Sequence, residues 1–248
     1  MQVTKHEPGT FCYVELTTSD RKGALKFYSG LFGWTAREVP ISEGEVYVVA
    51  LKNGQSAAGL YENKKVPPAW LTYVCAASAD ESTAKAKKLG AKVMMDAFDV
   101  MDLGRMSVMA DPQGAVFAIW QPKKNPGLGI MNEPGTYCWS ELLTSDVEGA
   151  KKFYTSLFGW GAKKGSDYTE WQRGKTSIGG LMKNPIPKGP PMWVIYFQVD
   201  DTDATTKKAQ SMGAKVWTTK DIEKVGRFSM MADPQGAAFS IIKLTNPM

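Results

Sequence analysis

Histidine is nearly missing from this chain. Among 248 residues there is one, His6, five residues before the predicted first strand. A catalytic first-row metal site usually draws imidazoles and carboxylates together from several strands. With no inward histidine such a site would have to be all carboxylate, so a bound catalytic metal is not expected. His6 itself reads as part of a solvated tail. Cysteine is also scarce. Cys12, Cys75 and Cys138 cannot complete a disulfide framework, which points to a reducing, cytoplasmic setting. The opening MQVTKHEPGT carries no apolar run, so no secretory leader is expected. No stretch of about 18 apolar residues is present to span a membrane. The net charge is +5, but its lysines and arginines are scattered rather than clustered, which argues against a nucleic-acid partner. There is no phosphate loop, no CxxC pair, no Ser–His pair and no Gly-rich nucleotide fingerprint, and no cofactor is expected.

What the chain has instead is a repeat. Pro8 to Trp34, PGTFCYVELTTSDRKGALKFYSGLFGW, returns as Pro134 to Trp160, PGTYCWSELLTSDVEGAKKFYTSLFGW, 126 residues later. Solenoid units recur at roughly 20–50 residues, so this period marks a duplicated domain. Each copy reads as a strand, an Asp N-cap (Asp20, Asp146), an amphipathic helix and a Gly stop (Gly33, Gly159). In the first copy three strands follow, Trp34 to Val39, Val46 to Leu51 and Ser56 to Leu60. The segment ISEGE joins the first two, and a turn at Asn53–Gly54 joins the last two. Pro67–Pro68 then opens a second unit. It holds a strand from Trp70 to Cys75, a helix started by Asp80 with apolar marks at Ala84 and Leu89, and three more strands. A tight turn, Asp111-Pro-Gln-Gly114, sits before the last strand. The second half repeats the scheme through Pro190–Pro191 and Asp233-Pro-Gln-Gly236. There the offset has fallen to 122, so a few residues were lost between its second and fourth strands. The expected boundaries are 1–122 and 133–248, joined by a Pro-, Gly- and Lys-rich linker over 123–132.

Strand alternation selects candidate site residues. If Cys12, Val14 and Leu16 pack under the helix, then Tyr13, Glu15 and Thr17 face the hollow of a curved sheet. The same phase sends Trp139, Glu141 and Leu143 into a second hollow. A buried carboxylate has a raised pKa and suits general acid–base work, so Glu15 and Glu141 are the catalytic candidates. A structural carboxylate held by a tyrosine, an arginine or a backbone amide is the alternative. Tyr13, Tyr73 and Trp120 in one half, with Trp139 and Tyr196 in the other, are the ligand-binding candidates, since aromatics around a carboxylate suit a flat or cationic organic molecule. Core packing accounts for other aromatics, above all Trp34 and Trp160. Arg105 and Arg227 could pair with the glutamates, with an anionic ligand, or lie at the surface.

The motifs EL-x-T-S-D (from Glu15 and Glu141), AxKFY-x-x-LFGW, AGL and GGL at Gly59 and Gly180, PP-x-W, LGAKV or MGAKV, and paired DPQGA turns resemble the vicinal-oxygen-chelate superfamily. That group includes glyoxalases, bleomycin-resistance proteins and extradiol dioxygenases. The resemblance implies an α+β fold of two tandem glyoxalase-like domains, each of two βαβββ units forming a curved, cupped mixed sheet with helices outside. It implies a lactoylglutathione-lyase-like enzyme or a binding protein. The family's metal ligands would map onto Tyr13, Leu71 and Ala118, and onto Trp139, Val194 and Ser240. None is a His, Glu or Gln. Two functions stay open: binding of a small organic molecule in aromatic cavities, or a metal-independent lyase or isomerase with Glu15 or Glu141 as base. Membrane and nucleic acid are not expected as partners. The assembly expected is a monomer, internally a pseudo-dimer, or a homodimer.

Overall fold

In a computed structural model, described for residues 1–42 and 45–246, the chain forms two eight-stranded mixed sheets. The first half comprises β1 (Phe11–Thr18), α1 (Arg21–Phe32), β2 (Thr35–Ser42), β3 (Glu45–Lys52), β4 (Gln55–Glu62), β5 (Ala69–Cys75), α2 (Ala79–Lys88), β6 (Lys92–Val100), β7 (Gly104–Ala110) and β8 (Val116–Pro122). The second comprises β9 (Tyr137–Thr144), α3 (Val147–Phe158), β10 (Gly161–Lys164), β11 (Tyr168–Arg173), β12 (Thr176–Lys183), β13 (Met192–Gln198), α4 (Thr202–Ser211), β14 (Lys215–Ile222), β15 (Gly226–Ala232) and β16 (Ala238–Leu244). The sheet orders are β2-β3-β4-β1-β5-β8-β7-β6 and β10-β11-β12-β9-β13-β16-β15-β14. In each, two βαβββ units meet along one antiparallel seam, β1 with β5 and β9 with β13. Each unit closes on itself through a parallel pair.

The first helix of each half begins and ends where its sequence says. Asp20 Oδ1 accepts from the Gly23 amide at 2.9 Å, and Asp146 Oδ1 does the same for Gly149. Gly33 and Gly159 stop their helices at φ +70°, a left-handed cap that an L side chain resists. Helix α2 differs from expectation. Ser78, not Asp80, caps it, and its buried positions are Ala79, Thr83 and Ala86, while Ala84 faces solvent. Asp80 sits in the first turn instead, where its charge favours the positive end of the helix dipole. The centre of the expected ISEGE turn, residues 43–44, lies outside the described residues.

His6 is not in a solvated tail. It is 7% exposed, and its Nε2 lies 2.9 Å from the Leu128 carbonyl. The first residues run along the linker: Val3 donates to the Gly129 carbonyl, Gln2 bridges Ile130, and the terminal amino group meets the Met131 carbonyl and the Glu133 carboxylate. A single strap of non-regular chain thus gains partners for amides that burial would otherwise orphan.

The main core lies between the halves. Helix α1 buries Phe27, Tyr28 and Phe32, which meet Phe239 and Phe197 of the other half at centroid distances of 4.8–6.3 Å. Reciprocally, α3 packs Phe153, Tyr154 and Phe158 on Phe117. Two buried hydrogen-bond relays cross the same boundary. Trp70 Nε1 donates to Tyr28 Oη at 2.9 Å, and Tyr28 donates to Asp233 Oδ2 at 3.0 Å. Trp193, Tyr154 and Asp111 repeat this with the same distances. The other oxygen of each aspartate accepts three amides of its own DPQGA turn. Trp34 Nε1 donates to the Gly135 carbonyl, and Trp160 Nε1 to that of Gly9. So PGT, FY-x-x-LFGW, PP-x-W and DPQGA are parts of one boundary. A fully buried Phe-sized side chain contributes about 1.5–3 kcal/mol and a net hydrogen bond about 1, so burial supplies most of the stability and the relays fix the alignment.

Candidate functional site

The helices occupy the convex sides, which leaves each concave face free. Strand β1 sets the phase. Val14 and Leu16 are fully buried toward the core, while Tyr13, Glu15 and Thr17 turn to the hollow. A bulge between Phe11 and Tyr13 makes Cys12 an extra residue outside the alternation, with its Sγ 3.7 Å from the Tyr73 carbonyl.

Glu15 pairs across the ladders with Leu71 and Gly59. Its carboxylate accepts from Tyr47 Oη at 2.6 Å and from Tyr73 Oη at 2.8 Å. Tyr47 also reaches Tyr13 Oη at 3.3 Å, and the rings of Tyr13 and Tyr73 meet edge to face at 5.8 Å. Glu141 repeats the arrangement. It is 7% exposed and accepts from Tyr196 Oη at 2.9 Å. Tyr168 is the second phenol beside it, close enough to pull the carboxyl pKa down, and its hydroxyl accepts from Trp139 Nε1 at 2.9 Å. Each hollow therefore holds one carboxylate between two phenols, in the same places on the repeat.

Electrostatics favour the neutral forms. Burial pushes both carboxyl pKa values up, against the downward pull of the tyrosine hydrogen bonds. Burial pushes Tyr13 up to about 12, and Tyr47, Tyr73 and Tyr196 well above the ordinary phenol range. The phenols remain protonated donors at physiological pH. A carboxyl group so placed keeps its proton to higher pH than an exposed one and can exchange it with a bound molecule.

Tyr47 and Tyr168 were the partners that sequence reasoning did not place in the site. The signal lay in the glycines opposite them. A Cβ on Gly59 would stand 1.9 Å from Tyr47 Oη, and one on Gly180 would stand 1.7 Å from Tyr168 Oη. AGL and GGL are thus clearance for a tyrosine to reach the carboxylate.

The other candidates are dispersed. Trp120 is buried in the main core cluster. It stacks over Gly104, which has no side chain to block it, and donates to the Asn125 carbonyl at 3.0 Å. Arg105 and Arg227 do not reach the glutamates. Arg105 pairs with Asp80 and Asp99, and Arg227 with Asp203 and Asp221, all at the surface. Trp34, Trp70, Trp160, Trp171 and Trp193 belong to the core between the halves. The former ligand positions do lie on the concave strands, with Tyr73 opposite Ala118 and Tyr196 opposite Ser240. Among the described residues no three His, Cys, Asp or Glu side chains converge as metal ligands. Cavities of about 250 Å³, between α3 and β10–β12, and about 620 Å³, beneath the N-terminal strap, are lined by neither glutamate.

The hollows differ in their walls. In the second, Leu143, Val194, Tyr196 and Ile242 form an apolar cluster apart from the main core, with Trp139, Met182, Met192, Phe228 and Met230 packed on it.

Residues 136–241 match the model of the Glyoxalase/Bleomycin resistance protein/Dioxygenase superfamily. The chain is 38% identical to "Putative glyoxylase CFP32" of Mycobacterium tuberculosis over 97% of each chain. It is 30% identical to "Anthracycline biosynthesis protein DnrV" of Streptomyces peucetius, covering 98% of this chain and 96% of that one. Among solved structures, the Mn(II)-bound glyoxalase from Novosphingobium aromaticivorans superposes with a TM-score of 0.70 at 15% identity, over 97% of this chain and 84% of that one. That last likeness concerns the fold alone. No described helix is long and apolar enough to cross a membrane.

Proposed function

The chain belongs to the glyoxalase/bleomycin resistance/dioxygenase superfamily, and from that premise we propose that it binds a small organic molecule in its concave hollows without a metal. The observation that carries the reading is the paired Glu–Tyr–Tyr cluster, Glu15 with Tyr47 and Tyr73, and Glu141 with Tyr168 and Tyr196. The carboxyl and hydroxyl groups offer a ligand both donors and acceptors, and the aromatic walls offer flat apolar surface. Two relatives bear names that concern small molecules, a putative glyoxylase and an anthracycline biosynthesis protein, which supports the same class of ligand. The residues present do not fit the family's metal. Each hollow offers one carboxylate and phenols whose protons are committed to it, and Leu71, Ala118 and Val194 have no donor side chain. The sole imidazole, His6, is held on the Leu128 carbonyl.

The raised carboxyl pKa favours a second reading, proton transfer by Glu15 or Glu141 in a lyase or isomerase. One experiment separates the two. Native mass spectrometry of the purified protein would detect a co-purified ligand, and a titration followed by tryptophan fluorescence would then give its affinity. Binding without conversion supports the first reading. Conversion with an alkaline or acid limb that disappears in Glu141→Gln or Glu15→Gln supports the second. No turnover in the wild type, together with affinity unchanged in both glutamine variants, would remove the hollows from the function altogether.

A further inference from the structure

The two hollows carry the same row of residues across their strands, with one change of charge. In the first, the ladder sets Arg37 of β2 beside Val49 of β3, Val49 beside Gly59 of β4, and Gly59 beside Glu15 of β1. Residues paired directly across neighbouring strands share a face, so the whole row lies on the concave side with Glu15. The alternation agrees: Val48 and Ala50 are fully buried, while Val49 between them is half-buried. In the second hollow Lys163, Glu170, Gly180 and Glu141 form the same row.

The rims differ in what answers the cation. Lys163 Nζ lies 3.6 Å from Glu170 Oε2, and the Ser177 hydroxyl donates to that same oxygen. Where the second hollow has Glu170, the first has Val49, which carries no charge. The carboxylates near Arg37 are engaged elsewhere among the described residues, Glu38 by Arg21 and Glu45 by the Ser42 hydroxyl. The charge of Arg37 is felt inside the hollow. Burial pushes the Tyr13 phenol up to about 12, and Arg37 is among the groups that pull it back. Burial also favours the neutral form of Glu15, which leaves Arg37 an uncancelled cation at the rim.

Resting on the reading that the hollows bind small organic molecules, we propose that the first hollow selects an aromatic acid, with its anionic group held by Arg37, while the second takes an uncharged molecule. A planar guanidinium offers a carboxylate two parallel N–H donors. Neighbouring strands lie about 4.8 Å apart, so the three steps from Arg37 to Glu15 span about 14 Å. One or two fused rings suit that span, lying over Val49 beside the Tyr47 ring, with the acid at the rim. In the second hollow Glu170 repels such an anion, and Met182, Met192, Phe228 and Met230 offer an apolar wall instead.

The test is calorimetric titration of the whole protein with naphthoate and with naphthamide, two probes that share their rings and differ in charge. The wild type should bind naphthoate more tightly. Arg37→Gln should weaken naphthoate about tenfold and lower the preference for it over naphthamide by the same factor. Arg37→Lys should keep part of that preference. Lys163→Gln removes the same charge from the protein as a whole, yet naphthoate affinity should stay within about twofold, since Glu170 already answers that lysine. Glu170→Gln uncovers Lys163 and should add a second naphthoate site. Equal losses in Arg37→Gln and Lys163→Gln would trace the preference to net charge and overturn the proposal. Equal wild-type affinities for the two probes, with Arg37→Gln silent, would overturn it too while leaving the hollows as sites for uncharged molecules. Failure of both probes to bind the wild type would remove the hollows as binding sites, and the proposal with them.

Discussion

The two halves agree on their convex sides and diverge on their concave ones. Across the boundary Trp70–Tyr28–Asp233 and Trp193–Tyr154–Asp111 match atom for atom. In the hollows, residues on equivalent strand positions differ: Tyr13 against Trp139, Tyr61 against Met182, Thr17 against Leu143, Met106 against Phe228, Ala118 against Ser240. The convex face of each half is packed on the other half, so a change there must be answered across the boundary. The concave face has no such partner and is free to change. Against that freedom, the carboxylate and its two tyrosines are the same in both hollows. Walls that diverge around an unchanged polar centre are what two binding sites of different selectivity would have.

The sharpest test of the shared side is the relay. Tyr28→Phe removes one hydroxyl and leaves two buried partners short, Trp70 Nε1 and Asp233 Oδ2. The expected loss is about 2–6 kcal/mol in urea unfolding, since each of the two orphaned buried polar groups costs about 1–3 kcal/mol. Tyr154→Phe should cost the same within about 1 kcal/mol. Because the core spans both halves, each variant should still unfold in one transition. A second transition, or a loss confined to one of the pair, would break the equivalence of the halves.

Next in size are the glycines beneath the tyrosines. Gly59→Ala and Gly180→Ala each set a methyl against a tyrosine hydroxyl and push it off the carboxylate. Overpacking of this kind costs about 1–3 kcal/mol. If the clusters are ligand sites, affinity in the altered hollow should fall along with stability. Loss of stability with affinity intact in both variants would assign the tyrosines to structure alone.

Much of the fold was legible in the sequence because the duplication shows it twice. Caps at Asp20 and Asp146, stops at Gly33 and Gly159, and the phase of Glu15 and Glu141 rest on local chemistry. The relays were not legible. Tyr28 and Asp233 are 205 residues apart, and nothing local to either says that they touch. Nor could local chemistry place His6, whose burial comes from the linker, or choose Ser78 over Asp80, since both can cap. Glu15 was correctly turned inward by alternation, but its partner Tyr47 comes from a separate hairpin, and only the side-chain-free Gly59 hints at the meeting. The shortened second hairpin was visible only as a falling offset. In the structure it is β10, four residues long against eight in β2.

A smaller effect is expected from exchanging the walls. Tyr61→Met and Met182→Tyr move one residue of each hollow toward the other. Both sites are partly exposed, so stability should change by less than about 1 kcal/mol. Ligand preference should move instead, with Tyr61→Met gaining affinity for apolar aromatic probes and Met182→Tyr losing it. Equal preferences in wild type and both variants would mean that the walls do not select.

The smallest effect is a slope with pH, and it tests whether the unchanged centre is held at a cost. The Glu15 and Glu141 carboxyls have folded pKa values raised above an unfolded value near 4.5. Between those values the folded protein holds protons that the unfolded chain has released. The stability that each contributes is therefore fully present below about pH 4.5 and is lost as pH rises through the folded pKa. Asp111 and Asp233 are raised too and share this sign, whereas the lowered His6 contributes stability that is lost as pH falls below about 6.5. The total curve mixes all of these, so the informative quantity is the difference between wild type and a glutamine variant. Glu141→Gln and Glu15→Gln cannot ionise. Relative to wild type each should gain stability as pH climbs from about 4.5 through the raised folded pKa. Glu141 is the more enclosed of the two, so its variant should gain more. Chemical denaturation at several pH values measures this directly. A difference that stays flat across the range would mean that the tyrosines fully compensate the buried charge. The cluster would then be a satisfied structural network, with no proton held ready for a ligand.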